Sequence, residues 1–163
     1  MTLRDATEAD FAAVRRLLDQ LGYAPGEVEF RRRFDSVRAT AGHRIIVAED
    51  GGAVVGVLHV FERPALDKGC EAVVQALVVD DTMRSRGVGE ALMHEAEAWA
   101  ASRGLGATSL YTSIKRDRAH AFYERLGYQI KGTSHLMVRP QAGGPLSTGN
   151  GKTGGGRNVG RIA

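Results

Sequence analysis

The sequence AVVQALVVDDTMRSRGVGEALMHEAEAWAA, residues 72–101, sets the architecture that we expect for the whole chain. Its first part, Ala72 to Asp80, is a valine-rich apolar run, which is typical of a strand covered on both faces. After it, Gly104 ends a helical pattern whose recurring positions are Val88, Leu92, Ala96, Trp99 and Arg103. The order is therefore buried strand, glycine-containing turn and helix.

The turn RSRGVG, residues 84–89, has the features of an anion-binding site. The first turn of a helix leaves N–H groups without partners and carries a partial positive charge. Gly87 and Gly89 remove side chains where the backbone would touch an anion. Arg84 and Arg86 add charged donors to the same rim. Together these features predict a phosphate site.

Two common phosphate motifs do not fit this turn. A dinucleotide-binding fold has a third glycine where this chain has Ala91-Leu92, and its turn stands near the start of a domain. A P-loop has a lysine and a hydroxyl residue directly after the glycines, where this chain has Glu90-Ala91. A different phosphate ligand is therefore expected.

The turn resembles motif A of the GNAT superfamily of N-acetyltransferases, Gln/Arg-x-x-Gly-x-Gly/Ala, which Arg84, Gly87 and Gly89 match at every fixed position. The resemblance implies that acetyl-coenzyme A is the ligand. Its pyrophosphate would then be held by Arg84, Ser85, Arg86, Gly87, Val88, Gly89 and Glu90. The resemblance also implies that the preceding strand parts from its neighbour and pairs with the pantetheine arm through Leu77, Val78 and Val79.

A second resemblance lies in residues 118–128, RAHAFYERLGY. They look like the family's motif B, Asn-x-x-Ala-x-x-Phe-Tyr-x-x-x-Gly-Phe/Tyr, with matches at Ala119, Phe122, Tyr123, Gly127 and Tyr128. The motif's asparagine, which often bonds the pantetheine chain in the family, is replaced by Arg116. Arg116 is instead a candidate to reach a phosphate, and Ala119 and Tyr123 are further coenzyme-binding candidates.

Acetyl transfer to an amine needs a neutral amine, a polarised thioester carbonyl and a proton for the departing thiolate. A lysine-like amine is mostly protonated at pH 7, and deprotonating it costs about 4–5 kcal/mol. A tyrosine, with a pKa near 10, is still protonated at pH 7 and can serve as the acid. The family resemblance assigns this catalytic role to Tyr123.

The general base is not assigned. Many family members have a glutamate on the central strand before motif A, where this chain has Gln75. Glu71, Glu62 and His59 are nearby acid–base groups that could act through water, but the favoured interpretation of each is a solvated residue at a strand end.

The rest of the chain predicts an α/β domain with a mixed, largely antiparallel sheet of six to seven strands and about four helices on both faces. Strands are expected at 2–6, 44–49, 53–61, 72–80, 107–113 and 128–139, and the other helices at 7–21, 27–38 and 117–126. In the family, the helix at 27–38 borders the acceptor pocket. The substrate-side candidates are therefore Tyr23, Glu29, Phe30 and Phe34. Ordinary packing and solvated charge are the competing interpretation of these four residues.

Composition limits the class of protein. The 163 residues suit one domain, which we place at 1–139, followed by a glycine-rich basic tail at 140–163 that we expect to be disordered. From Arg139 onward there are four basic residues and no acidic one, so the net charge of +3 belongs to the tail and does not mark a nucleic-acid binder. The single cysteine excludes a cysteine-type zinc site and fits the cytoplasm, and no metal site is expected. Neither a signal peptide nor a membrane span is recognisable.

The resulting hypothesis is an acyl-coenzyme A-dependent N-acetyltransferase. It would transfer acetyl directly from acetyl-coenzyme A to a primary amine of a small molecule or protein, in a ternary complex. The first alternative is a non-catalytic acyl-coenzyme A sensor on the same fold, and the second is a toxin that acetylates charged tRNA. A homodimer would be in keeping with the family.

Overall fold

The computed structural model describes residues 1–22, 25–139 and 161–162. Its strands are β1 (Thr2–Asp5), β2 (His43–Asp50), β3 (Ala53–Arg63), β4 (Glu71–Val79), β5 (Thr108–Leu110) and β6 (Arg161–Ile162). Its α-helices are α1 (Phe11–Asp19), α2 (Glu27–Ala39), α3 (Val88–Ser102) and α4 (Asp117–Arg125). Short 3-10 helices, Glu8–Asp10 and Asp81–Met83, precede α1 and α3.

One sheet joins all the strands in the order β1-β2-β3-β4-β5, with β6 added to β4. The pairs β1–β2, β2–β3 and β3–β4 are antiparallel, whereas β4 runs parallel to β5 and to β6. The parallel β4–β5 pair follows from the α3 crossover, because a strand–helix–strand connection returns the chain in the same direction. The β2–β3 hairpin closes on Gly51 and Gly52, both with positive φ, as a tight turn requires. These features confirm the predicted fold class.

The sheet is covered on both faces, as the apolar run of β4 predicted. One face packs against α3 and α4 through a core that includes Leu58, Leu77 and Leu92. The other packs against α1 and α2 through Val47, Val78 and a cluster of three phenylalanines, Phe11, Phe30 and Phe34. Strand β4 thus lies in the middle of the molecule, with a different pair of helices on each side.

Gly56 of β3 lies at both a bulge and a close approach between the sheet and α3. A Cβ at Gly56 would lie 2.9 Å from Cγ1 of Val88 and 3.0 Å from Cδ1 of Leu92. The β2–β3 register shifts next to it, between Ala48 and Glu49. The missing side chain therefore lets the first turn of α3 sit directly on the sheet.

The predicted final strand at 128–139 is wrong. These residues form neither helix nor strand, and Ile130, Leu136, Met137 and Val138 are exposed. Alternating apolar residues form a strand only where a neighbour supplies hydrogen bonds, and the short β5 is not paired with this segment. The sheet therefore has five strands in one path plus the two-residue β6.

Two further predictions concern the C-terminal tail and membrane-spanning helices. The predicted tail, 140–163, lies outside the described residues except for Arg161–Ile162, which pair with β4. No helix in the part of the chain that the structure describes is long and apolar enough to cross a lipid bilayer.

Candidate active site

Strand β4 carries a bulge at Gln75. Along the β3–β4 ladder, His59 pairs with Ala76 but the next residue, Val60, pairs with Val74, so Gln75 is an extra residue without a partner on β3. A bulge bends its strand and turns backbone groups out of the ladder, and such irregularities are common next to active sites. The bulge lies where β4 separates from its other neighbour.

Beyond this bulge, β4 and β5 part. Their parallel pairing covers only Ala72–Val74 against Thr108–Leu110, whereas β4 continues to Val79. Since β3 occupies one edge of β4, the edge that β5 leaves is available to another extended chain. Arg161–Ile162 pair there with Ala76 and Leu77. The edge that was predicted to receive the pantetheine arm is thus one that accepts an extended partner.

The bend between β4 and α3 is exposed and strained in the manner of an anion-binding loop. Gly87 is the N-cap of α3 with φ of 79°, and Ser85 also has a positive φ, 61°. Residues 84–87 are exposed, and a Cβ at Gly87 would meet no atom within 4 Å. The first turn of α3, whose N–H groups have no partner within the helix, therefore begins at the exposed surface.

The two aspartates after β4 fix the start of this bend. Asp80 accepts hydrogen bonds from the backbone N–H and the hydroxyl of Thr82 and from Arg16 of α1, at 3.1, 2.7 and 2.5 Å. These contacts hold the pKa of the Asp80 carboxyl well below its usual range, chiefly through Arg16. Asp81 forms an ion pair with Arg84. The bend is therefore anchored on the sheet side.

Gly89 has a packing role that the sequence did not reveal. A Cβ there would lie 3.3 Å from Cζ of Phe122 and 3.6 Å from Cγ2 of Val79. Its absence lets α4 approach the N-terminal turn of α3. Of the two motif glycines, Gly87 provides the left-handed conformation and Gly89 the close approach of the helices.

Tyr123, the predicted acid, is buried in the core between the sheet and α3, with 3% of its surface exposed. Its ring contacts Phe122 and Tyr128 edge-on. Its buried hydroxyl has no hydrogen-bond partner among residues 1–22, 25–139 and 161–162. Burial raises the pKa of this hydroxyl, opposed by the charge of Arg116, so it stays protonated at neutral pH. A buried polar atom without a partner is rare in proteins and often marks a functional position.

The remaining motif B candidates lie at the start of α4. Arg116 is its N-cap residue, and Ala119 packs on the core that contains Tyr123. Leu77 and Val79 face the same core, whereas Val78 faces α1 and α2. The predicted site residues thus converge on the junction of β4, α3 and α4.

The candidates for the acceptor side have structural roles instead. Phe30 and Phe34 are buried core residues, and Glu29 is held by Arg32 and Arg33, so ordinary packing and ion pairing account for them. Tyr23 lies outside the described residues.

Two of the three candidate bases are committed to ion pairs. Glu71 pairs with Arg63 and Lys68, which lower the pKa of the Glu71 carboxyl although its burial acts in the opposite direction. Glu62 pairs with Arg103 at 2.5 Å. Only His59 among the three has a neutral partner, the imidazole of His43.

His43 is the residue that the sequence reasoning missed. Counting back from the hairpin turn at residues 51–52 would pair His43 with Val60 and place the two histidines on opposite faces. The register shift between Ala48 and Glu49 instead pairs His43 with Phe61 and Ile45 with His59, which makes the histidines diagonal neighbours on one face. No local sequence signal fixes the position of that shift. In the described ranges, no group of three or more His, Cys, Asp or Glu side chains could hold a metal ion.

Comparison with known proteins agrees with this geometry. Residues 11–128 match the family described as "Acetyltransferase (GNAT) family". The aminoalkylphosphonate N-acetyltransferase of Salmonella typhimurium is 32% identical over 131 residues, which cover 78% of this chain and 84% of the relative. The glucosamine 6-phosphate N-acetyltransferase of Trypanosoma brucei brucei is 29% identical over 135 residues, 79% and 89% of the two chains.

Among solved structures, the aminoglycoside N-acetyltransferase AAC(6')-Iy in complex with CoA superposes with a TM-score of 0.74. It is 16% identical and covers 86% of this chain and 99% of its own. At this level of identity the likeness concerns the fold alone. The family match covers most of the chain, and it includes both sequence motifs and the junction that they build. The chain belongs to the GNAT family of acetyltransferases, whose members are acyl-coenzyme A-dependent N-acyltransferases.

Proposed function

We propose that this protein transfers the acetyl group of acetyl-coenzyme A to a primary amine, by direct attack in a ternary complex. The observation that carries the proposal is the Tyr123 hydroxyl, which is buried and without a described partner beside an exposed, glycine-built anion site. Burying a hydroxyl without a hydrogen-bond partner costs free energy, and a bound ligand that accepts a hydrogen bond from it would remove that cost. The departing thiolate of the coenzyme is the group that it suits.

The coenzyme would lie across the junction of β4, α3 and α4. Its pyrophosphate would accept hydrogen bonds from the amides of the bend at 85–90 and ion pairs from Arg84 and Arg86. Arg84 already holds an anionic oxygen, that of Asp81, and would exchange it for a phosphate oxygen. The pantetheine arm would pair with β4 at Leu77–Val79, on the edge that β5 leaves, and would displace Arg161–Ile162 from Ala76 and Leu77. Ala119 and Arg116 would lie on its α4 side.

The thioester is the activated acyl donor of the reaction, and the residues of the chain supply orientation and protons. Pairing along the edge of β4 that β5 leaves would bring the thioester carbonyl to the Gln75 bulge, where a backbone N–H can polarise it. Tyr123 would donate its proton to the sulfur as the C–S bond breaks, and the proton that the amine nitrogen loses as the amide forms would restore the hydroxyl. Its raised pKa keeps the proton available at neutral pH and makes the hydroxyl a hydrogen-bond donor.

The acceptor class follows from the relatives named above rather than from the geometry. Both curated relatives act on amines that carry a phosphorus group, and the structural neighbour acts on aminoglycosides. We infer a small-molecule amine, with phosphorus-bearing amines as the first class to test. A cytoplasmic location, where acetyl-coenzyme A is made and used, fits this reaction.

The test is calorimetric titration with acetyl-coenzyme A, followed by a thiol-release assay over an amine panel. The panel should hold an aminoalkylphosphonate, glucosamine 6-phosphate, an aminoglycoside, a lysine peptide and an aminoacyl-tRNA. Binding with acceptor-dependent thiol release supports the proposal. Binding without release from any acceptor favours the sensor alternative, and release with aminoacyl-tRNA alone favours the toxin. Failure to bind the coenzyme would refute all three.

A further inference from the structure

His43 and His59 form a hydrogen-bonded imidazole pair on one face of the sheet. Nδ1 of His43 lies 3.0 Å from Nε2 of His59, and the rings stack with centroids 5.3 Å apart. Phe61 stacks on His43 at 5.0 Å. On β3 the neighbour two positions before His59, Val57, faces α1 and α2, so the histidine pair lies on that face and opposite to Tyr123.

The pair lies next to the point where β4 is irregular. His59 is the register partner of Ala76, the residue that follows the bulge at Gln75. Paired residues on antiparallel strands have Cα atoms only about 4.5–5.5 Å apart. Tyr123 lies on the α3–α4 face of the sheet and His59 on the α1–α2 face, so the two titratable groups are on opposite sides of the sheet.

Burial keeps both rings of the pair unprotonated and able to accept a proton at neutral pH, and the same burial makes His59 a weaker base than a free imidazole. Burial lowers the pKa of His59 to about 4, with a further contribution from His43, and burial also lowers the pKa of His43. Both rings are therefore neutral at pH 7, and each keeps a lone pair or a proton to exchange. Their mutual hydrogen bond uses one nitrogen of each ring, which leaves Nδ1 of His59 and Nε2 of His43 as the two ends of a chain.

The far end of this chain reaches the surface. His43 lines a cavity of about 190 Å³ together with residues of β1, α2 and β2, and the charged groups there are Asp5, Arg38 and Arg44. Asp5 and Arg44 form an ion pair with each other at 2.7 Å. A proton that arrives at His43 can therefore pass to solvent through an open cavity. Glu71 and Glu62, the other two candidate bases, are held in ion pairs.

We propose that His59 accepts the proton that an ammonium acceptor loses before it attacks the thioester, and that His43 relays it to the surface cavity. One ammonium N–H bond breaks, and its proton goes to Nδ1 of His59. The neutral amine then forms the C–N bond, and the N–H proton that it loses as the amide forms returns through water to the oxygen of Tyr123, which has protonated the thiolate. The proton on Nε2 of His59 moves to Nδ1 of His43, and the proton on Nε2 of His43 leaves to water. Charge is conserved at each transfer, and exchange with water restores both tautomers. This inference rests on the proposed acetyl transfer.

The test compares His59→Gln and His43→Asn with wild type, and uses His94→Gln, at an exposed position of α3, as the control. His59→Gln should lower kcat about 10²-fold at pH 7, the lower end for a lost general base. The loss should shrink as pH rises, because the amine then deprotonates unaided. It should also shrink for an acceptor amine with a pKa near 7. His43→Asn should cause a smaller loss with the same pH trend, and calorimetry should show unchanged coenzyme affinity in every variant.

Each outcome decides between the possible roles. Wild-type kcat and pH profile in His59→Gln would overturn the proposal and leave the pair as a packing feature of the hairpin. A loss of kcat that is the same at every pH and for every amine would also overturn it. If His59→Gln does not fold, His59→Asn takes its place with the same readouts. If wild type itself binds coenzyme but turns over no amine, the proposed function fails and this inference fails with it.

Discussion

Replacing Tyr123 by phenylalanine should make the protein more stable and the reaction slower. Tyr123 is 3% exposed, and its hydroxyl has no hydrogen-bond partner in the described part of the chain. The protein without coenzyme therefore carries the cost of removing this hydroxyl from water. Removing a buried, unsatisfied polar group relieves about 1–3 kcal/mol, which for a chain of this size corresponds to a rise in Tm of about 2–4 °C per kcal/mol. The same change removes the proposed proton donor and should lower kcat by about 10²-fold or more.

Tyr128→Phe is the matched control for this variant. The Tyr128 hydroxyl donates to the Glu97 carboxylate at 2.8 Å, and it lies in the same aromatic cluster as Tyr123. Its loss should destabilise the fold by about 1–2 kcal/mol, since a bond to a charged group disappears, and should change kcat little. Urea unfolding and steady-state kinetics measure both effects.

Two results would refute this reasoning. A wild-type kcat in Tyr123→Phe would remove the assignment of the acid. A fall in stability in Tyr123→Phe would mean that the hydroxyl has a partner in the free protein, and the inference from its burial would fail.

Three further predictions concern the glycines and the pH. Gly87→Ala, which forces an alanine into the left-handed region at φ of 79°, should cost about 1–2 kcal/mol of stability and weaken coenzyme binding in calorimetry. Gly56→Ala should destabilise by about 1–3 kcal/mol, because its Cβ would press on Val88, whereas Gly69→Ala, with open space around it, should stay near wild type in urea unfolding. The free energy of unfolding should fall between pH 6.5 and about 4, because over that range His59 binds a proton in the unfolded chain but not in the folded one. Thermal unfolding across that range should show a smaller fall in His59→Gln.

The sequence predicted best where local rules leave few solutions. A valine run, a glycine turn and an amphipathic helix in succession define β4, the bend and α3, and the observed bounds differ from the expected ones by about a residue. The short gap between the predicted strands 44–49 and 53–61 contains Gly51 and Gly52, whose positive φ values close the hairpin.

The parts that could not be predicted depend on contacts between distant residues. Nothing local distinguishes Gly89 from Gly87, and only the position of Phe122, in another helix, shows that Gly89 permits helix packing. The alternating residues of 128–139 have the local pattern of a strand but are not paired with a neighbouring strand. The bulge at Gln75 requires knowledge of the β3–β4 register, which residue spacing in one strand does not contain.

The pairing of Arg161–Ile162 with β4 bears on how the protein should be prepared for experiments. An affinity tag fused behind residue 163 would be carried along the entrance that the coenzyme is proposed to use, and apparent binding constants would then report on the tag. At the opposite edge of the sheet, the terminal amine of Met1 makes only a surface ion pair with Asp50 at 3.3 Å. Such pairs contribute little, so a purification handle belongs before Met1.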